Sequence, residues 1–222
     1  MAGAETGGVP FVFMGGTFDP IHNGHLRTAL EIQQWLEIPE VCLIPSKVPV
    51  HRDEPGCTSE QRLAMVELAV ADEPSLTADA REIRSDKPSY SLLTLESLRQ
   101  ELGPQRPLCM VMGADAYMTL SRWYQWERFI DLCHILVVTR PGYELDLDPE
   151  MKRFTDRHAA GSKQELLSLP AGKVLIHELT PLGISATQVR QLAAQGQSPR
   201  YLIPDSVWDY IQTNRLYGFN RL

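Results

Sequence analysis

His22 and His25 stand three residues apart in "GGTFDPIHNGH", residues 15–25, after the apolar run Val9-Pro10-Phe11-Val12-Phe13-Met14 and before "LRTALEIQQWL". Two glycines after a strand let the backbone turn sharply and bring its N–H groups close to a ligand. With a helix beginning near Asn23, His22 and His25 lie across its first turn, at a spacing that puts both imidazoles on one side. The unpaired N–H groups and dipole of a helix start already favour an anion, so two imidazole donors beside them form a cationic cup, with phosphate as the expected guest. Asp19-Pro20 fixes the loop before it. Zinc is the competing reading. It requires three or four ligands, and the chain has neither a His-Glu-x-x-His pattern nor paired Cys-x-x-Cys elements, so no metal site built from protein ligands is expected.

The elements that must hold these residues alternate. After the first strand and helix, "VCLIP" (41–45) reads as a buried strand. "TSEQRLAMVELAV" opens with a Thr58-x-x-Gln61 capping box and continues with helical periodicity. "SLTAD" (75–79) is a short strand, "SYSLLTLESLRQELG" (89–103) a helix and "PLCMVMG" (107–113) a strong strand. "DAYMTL" and "QWERFIDL" read as helical on either side of "SRWY", and "HILVVTR" (134–140) is a strand apolar enough to be covered on both faces. Residues 141–172 lapse into Pro, Gly and acidic residues with one helical stretch, which reads as a surface insertion without chemistry. "KVLIHEL" is a last strand, "ISATQVRQLAAQG" a helix capped by Ser185-x-x-Gln188, and "DSVWDYIQTN" a terminal helix. Such β-α alternation implies an α/β fold, a doubly wound, mostly parallel sheet with helices on both faces, where ligands collect outside the carboxyl ends of strands.

The 222 residues are most economically one domain over 9–222, with a small C-terminal helical part and a flexible tail over 1–8. No run approaches eighteen apolar residues and the N-terminus carries no secretory pattern, so a cytoplasmic protein without a membrane partner is expected. Cys42, Cys57, Cys109 and Cys133 fall at irregular spacings, three inside apolar runs, as reduced core thiols do. A net charge of −7 argues against nucleic acid as a partner, while the basic cluster "KVPVHR" (47–52) can still collect small anions. Oligomeric state has no signature here.

The phrase "GGTFDPIHNGHL" resembles the first signature of the nucleotidyltransferase superfamily, and "ISATQVR" (184–190) resembles its second, Ile-Ser-x-Thr-x-x-Arg. Together with "KPSYSLLTL", "GADAY", "SRWYQW" and "TRPG", in that order, they make the chain similar to the bacterial nicotinate-nucleotide adenylyltransferases from about residue 10 to 217. Ser91 stands where that family commonly has Thr, and Ala186 where a second Ser is common, which removes one donor near the triphosphate.

The resemblance implies a Rossmann-like fold and adenylyl transfer from ATP to nicotinate mononucleotide, giving nicotinate adenine dinucleotide and pyrophosphate in NAD biosynthesis, with Mg²⁺ carried on the ATP phosphates. It implies that Gly15, Gly16, Thr17, Phe18, His22, His25, Gly113, Asp115, Ile184, Ser185, Thr187 and Arg190 bind ATP, and that His22, His25, Lys47 and Arg190 act in catalysis. Lys47, Ser91, Thr94, Trp123, Tyr124 and Arg140 fall where it places the mononucleotide, Trp123 and Tyr124 framing the nicotinate ring. An aromatic face suits such a ring, and nearby backbone N–H groups suit its carboxylate. The competing reading, secondary for Trp126 and Phe129 and weakest for Trp123, is that the three are a helix's core stripe. A different acceptor, such as nicotinamide mononucleotide or phosphopantetheine, and a regulator that binds nucleotide without turnover are the alternative readings.

Overall fold

The computed structural model describes residues 8–47, 56–180 and 182–220. The elements in chain order are β1 (Phe11–Gly16), α1 (Asn23–Leu36), β2 (Val41–Pro45), α2 (Ser59–Val70), β3 (Leu76–Ala78), α3 (Arg81–Arg84), α4 (Ser91–Leu102), β4 (Leu108–Gly113), α5 (Ala114–Met118), α6 (Phe129–Leu132), β5 (His134–Thr139), α7 (Pro149–His158), α8 (Lys163–Ser168), β6 (Val174–Glu178), α9 (Ala186–Ala194) and α10 (Asp205–Asn214). Among the described residues the strands form one six-stranded parallel sheet in the order β3-β2-β1-β4-β5-β6, the Rossmann-like order that reverses direction at β1 and β4. No helix among them is long and apolar enough to cross a membrane.

Two compact units divide the chain. One comprises the described residues up to Met14, Leu36–Ile38 and Tyr90–Thr180. Within it Phe11 pairs with Leu108, Cys109 with His134 and Ile135 with Val174, all in parallel register. Leu108–Met112 are buried without a break, as a strand covered on both faces must be, whereas β6, last in the order, alternates buried and open positions. Arg99 donates to the carbonyls of Gly103, Arg106, Leu132 and Pro170, tying α4 to the loop before β4, the end of α6 and the loop before β6.

Residues 141–172 differ from the expected surface insertion. They hold two helices, α7 and α8, and contribute to the core: Met151 and Leu166 are buried, Phe154 meets the edge of Trp126 at 4.9 Å, and Thr155 Oγ1 lies 2.6 Å from the Tyr117 hydroxyl. Helix α7 starts cleanly because Asp148 accepts from the Glu150 and Met151 N–H groups. These few apolar positions are spread too thinly to show as a helical stripe in sequence.

The second unit comprises Gly15–Trp35 and the described parts of Pro39–Ser89 and Pro181–Leu222. Every residue of β2 is buried, and Val41, Cys42 and Leu43 pair with Leu76, Thr77 and Ala78 of β3. The Thr58/Gln61 capping box opens α2 as its sequence implies, each side chain bonding the other's backbone N–H. All four cysteines are free; Cys42, Cys109 and Cys133 are buried, and Cys57 is half-buried in a polar setting.

Candidate active site

In the second unit the first signature folds on itself. Gly16 has Phe18 above it so closely that a Cβ would lie 2.8 Å from the ring, and Phe18 takes a left-handed φ of 48°. The chain then passes a cis Asp19-Pro20 bond and enters α1 at Asn23, whose N–H donates to Leu202 O. The two imidazoles stack with centroids 3.6 Å apart, and Phe18 meets His25 edge-on at 5.0 Å. Gly24 makes room for this stack, since a Cβ there would come within 3.0 Å of the His22 ring. The same Cβ would lie 3.7 Å from Ile184, so the second signature runs beside the first.

Burial bears on the charge of one member of the expected cationic cup. Burial pushes the His22 ring down to about 4, so it is neutral at pH 7. His25 Nδ1 accepts from the His22 backbone N–H at 3.3 Å, which puts the proton of a neutral His25 ring on Nε2. His22 Nδ1 is buried without a hydrogen-bond partner among the described residues. Buried polar atoms are nearly always paired, so this one marks a place for an incoming polar group.

Asp19 anchors the loop. Its carboxylate accepts from the Gly56 N–H at 2.9 Å, the Cys57 thiol at 3.2 Å and the Tyr217 hydroxyl at 2.8 Å, while its carbonyl accepts from Arg190 at 2.7 Å. Burial pushes the Cys57 thiol up to about 12, so it stays protonated as a donor. Arg190 also reaches Thr187 Oγ1 at 3.3 Å. Arg190 thus joins Thr187 to the first signature. Ser185 caps α9, its Oγ accepting from the Gln188 N–H at 3.2 Å.

The Lys47 ammonium donates to Ser85 O, and its backbone N–H to Ser89 Oγ at 3.0 Å. The remainder of the expected basic cluster, Val48 to Arg52, lies outside the described residues. A residue that sequence reading passed over is Arg62, wholly buried, with one terminal nitrogen on Thr17 O at 2.6 Å and the other on Lys47 O at 2.7 Å. Its signal was present: in α2 it shares the buried stripe with Met65, Val66 and Val70, where a charge breaks the pattern.

In the first unit, Tyr124 is exposed and stacks on Tyr90 with centroids 4.6 Å apart. Tyr90 is the N-cap residue of α4, so this aromatic pair adjoins the start of a twelve-residue helix whose first residue is Ser91. Trp123 meets Phe129 edge-on at 6.3 Å, and its N–H donates to Leu120 O, so that donor is already used. Trp126 and Phe129 are buried, as the core reading has it. Thr94 is 6% exposed, among the buried residues of α4 with Leu92, Leu95 and Leu98. Gly113 and Asp115 are exposed at the end of β4 and the first turn of α5. Arg140 is exposed just after β5.

A cytidylyltransferase-like family profile matches residues 13–192. The chain is 51% identical over 210 residues to a protein of Hahella chejuensis described as "Probable nicotinate-nucleotide adenylyltransferase", covering 94% of this chain and 96% of that one. It is 42% identical over 219 residues to a protein of Chromohalobacter salexigens with the same description, covering 98% and 100%. The structure is similar to that of Plasmodium falciparum nicotinic acid mononucleotide adenylyltransferase complexed with NaAD, with a TM-score of 0.70, 17% identity and coverage of 96% and 99%.

Proposed function

The chain belongs to the cytidylyltransferase-like family and, within it, to the nicotinate-nucleotide adenylyltransferases, and on that premise we propose that it joins ATP to nicotinate mononucleotide by in-line adenylyl transfer. The observation that carries the mechanism is the stacked His22–His25 pair with its buried, unpartnered Nδ1, set at the start of α1. The mononucleotide's 5′-phosphate oxygen forms a bond to the α-phosphorus of ATP as the bond to the bridging oxygen of pyrophosphate breaks. A phosphate monoester has a second pKa of about 6, so the nucleophile is already largely ionised at neutral pH and no general base is required. His22 and His25 donate to triphosphate oxygens, following charge as it moves towards the leaving group. The starts of α1 and α9 add backbone N–H groups and dipoles of the same sign. Arg190 contributes by holding Asp19 and therefore the shape of the loop.

Mg²⁺ fits this reading as a passenger on the nucleotide. Among the described residues no group of three or more His, Cys, Asp or Glu is arranged to hold a metal ion, whereas the loop offers donors that suit phosphate. When bound, the ion neutralises the triphosphate.

For the acceptor, the Tyr90–Tyr124 stack offers a flat face beside the N-terminus of α4, whose first N–H groups and dipole favour the nicotinate carboxylate. Trp123 forms the neighbouring wall, Asp115 accepts from a ribose hydroxyl of ATP, and Arg140 takes the mononucleotide's phosphate end. A carboxamide would aim its own N–H₂ at those donors or turn away, leaving groups unpaired at about 1–3 kcal/mol each. The kcat/KM for nicotinate mononucleotide is therefore expected to exceed that for nicotinamide mononucleotide by at least about tenfold. Equal efficiencies, or a preference for the amide, reject the carboxylate site and leave adenylyl transfer standing.

The direct test is purified protein with Mg²⁺, ATP and each acceptor in turn. Nicotinate mononucleotide should yield the dinucleotide and an equal amount of pyrophosphate. Folded protein that yields neither overturns the reading, and turnover only with phosphopantetheine reassigns the acceptor.

A further inference from the structure

Arg62 is a cation where an apolar residue would have filled the space. Its stripe-mates on α2 are Met65, Val66 and Val70, and it is 0% exposed. Burying a guanidinium is unfavourable unless its donors are met, and an apolar residue of similar size would serve packing as well or better. Its acceptors among the described residues are two neutral carbonyls from separate segments, Thr17 in the first signature and Lys47 just after β2. A planar fork meets the two from separate nitrogens at a fixed spacing, a geometry that the compact ammonium of a lysine does not reproduce.

The neighbourhood points the same way. The buried side-chain polar atoms without partners among the described residues are His22 Nδ1, Ser46 Oγ and Arg62 Nε. All three belong to residues of, or bonded to, one turn of chain: His22 is in the first signature, Ser46 donates its N–H to Gly16 O, and Arg62 donates to Thr17 O. The charged and ionisable groups facing Arg62 are Asp19, Cys57, Tyr217 and Glu60, of which Asp19 is itself committed to three other donors.

We propose that Arg62 is a positioning residue for triphosphate binding: by clamping Thr17 O and Lys47 O it fixes the phosphate-binding turn to the segment after β2 and holds a buried positive charge against that turn. The inference rests on the adenylyl-transfer reading above. It acts through the loop, so its signature is ATP affinity. Removing the clamp lets residues 16–22 relax away from the geometry that His22 and His25 need, and the bonds lost are those to Thr17 O and Lys47 O rather than to the acceptor groups proposed on α4 and at Tyr124.

The test compares Arg62→Lys and Arg62→Gln with Met65→Ala, a neighbouring core change that makes no contact of this kind, in melting midpoint, KM for ATP, KM for nicotinate mononucleotide and kcat. Arg62→Lys keeps the charge and loses the fork, and it should raise the KM for ATP about tenfold, as expected for loss of one charge-assisted hydrogen bond, with the KM for the mononucleotide changed less than about twofold. Arg62→Gln should raise it further. Met65→Ala should lower the midpoint and leave both KM values near wild type. Unchanged ATP affinity in both Arg62 variants overturns the proposal. So does an equal KM rise in Met65→Ala at a matched loss of midpoint, or failure of both Arg62 variants to fold while Met65→Ala folds. If wild type shows no turnover, the adenylyl-transfer reading falls instead, and calorimetric ATP binding by the same variants still decides the part Arg62 plays.

Discussion

Replacing His22 or His25 with Ala is expected to lower kcat about 10²–10³-fold, the size of effect seen when one donor to a developing oxyanion is lost. Each ring has a separate reason to matter. His25 has its Nδ1 occupied by the His22 N–H, which directs its proton to Nε2, and His22 keeps a buried Nδ1 that no described residue satisfies. Stacked at 3.6 Å, the rings also fix each other, so His22→Ala should cost more than the loss of one donor. His22→Asn, which keeps an amide N–H near the position of Nδ1, should recover part of the rate. Because burial holds the His22 ring neutral at pH 7, substituting His22 should leave the shape of the turnover profile between about pH 6.5 and 8.5 unchanged, as it would not if an imidazolium at His22 were required. Rapid-quench measurement of the dinucleotide formed in one turnover checks both points. Normal single-turnover rates in either Ala variant, or a loss that tracks unfolding alone, would falsify the phosphate-cup assignment.

What could be read in the sequence was what acts locally or repeats. Helices α2 and α9 announce themselves because Thr58/Gln61 and Ser185/Gln188 bond within one turn of chain. Strands β4 and β5 do so because continuous burial demands continuous apolar residues. The two signatures are local phrases as well, so their residues were found. Their partners were not, because the contacts join distant segments: Arg190 meets Asp19 across 171 residues and Tyr217 meets it across 198. A tyrosine near the end of a helical segment looks like any surface residue until the fold returns it to the first loop. Lys47 has a partner of the same hidden kind: its ammonium donates to the carbonyl at the end of α3, a four-residue helix too short to be foreseen. Burial at His22 is equally invisible in sequence, and it weighs against the charge that the residue type suggests.

That burial makes acid stability the second large effect. The His22 ring titrates at about 4 when folded, against an ordinary value of 6.5, because burial penalises its charged form. Between these values the unfolded chain holds a proton that the folded protein does not, so stability rises with pH across the window: the contribution is complete above about 6.5 and is lost as pH falls towards 4. At pH 5 the loss from this one group is about 2 kcal/mol, approaching about 3 kcal/mol near pH 4. His134 acts in the same direction. It is buried in β5 with Nε2 on Leu169 O and Nδ1 accepting from the Lys173 N–H, an arrangement that suits only the neutral ring. The two are separable by substitution. Urea unfolding of wild type and His22→Asn at steps from pH 7.5 to 4.5 should give curves that coincide in shape above about pH 6.5 and diverge below it, the variant losing about 2 kcal/mol less by pH 5 while His134 still destabilises both. Carboxylates held by partners, such as Glu37 beside Lys163, add their loss at lower pH, because their folded values lie below the ordinary carboxylate range. Parallel curves throughout would mean that His22 is protonated as readily in the folded protein as in the unfolded chain, and that the phosphate turn carries a solvated imidazolium.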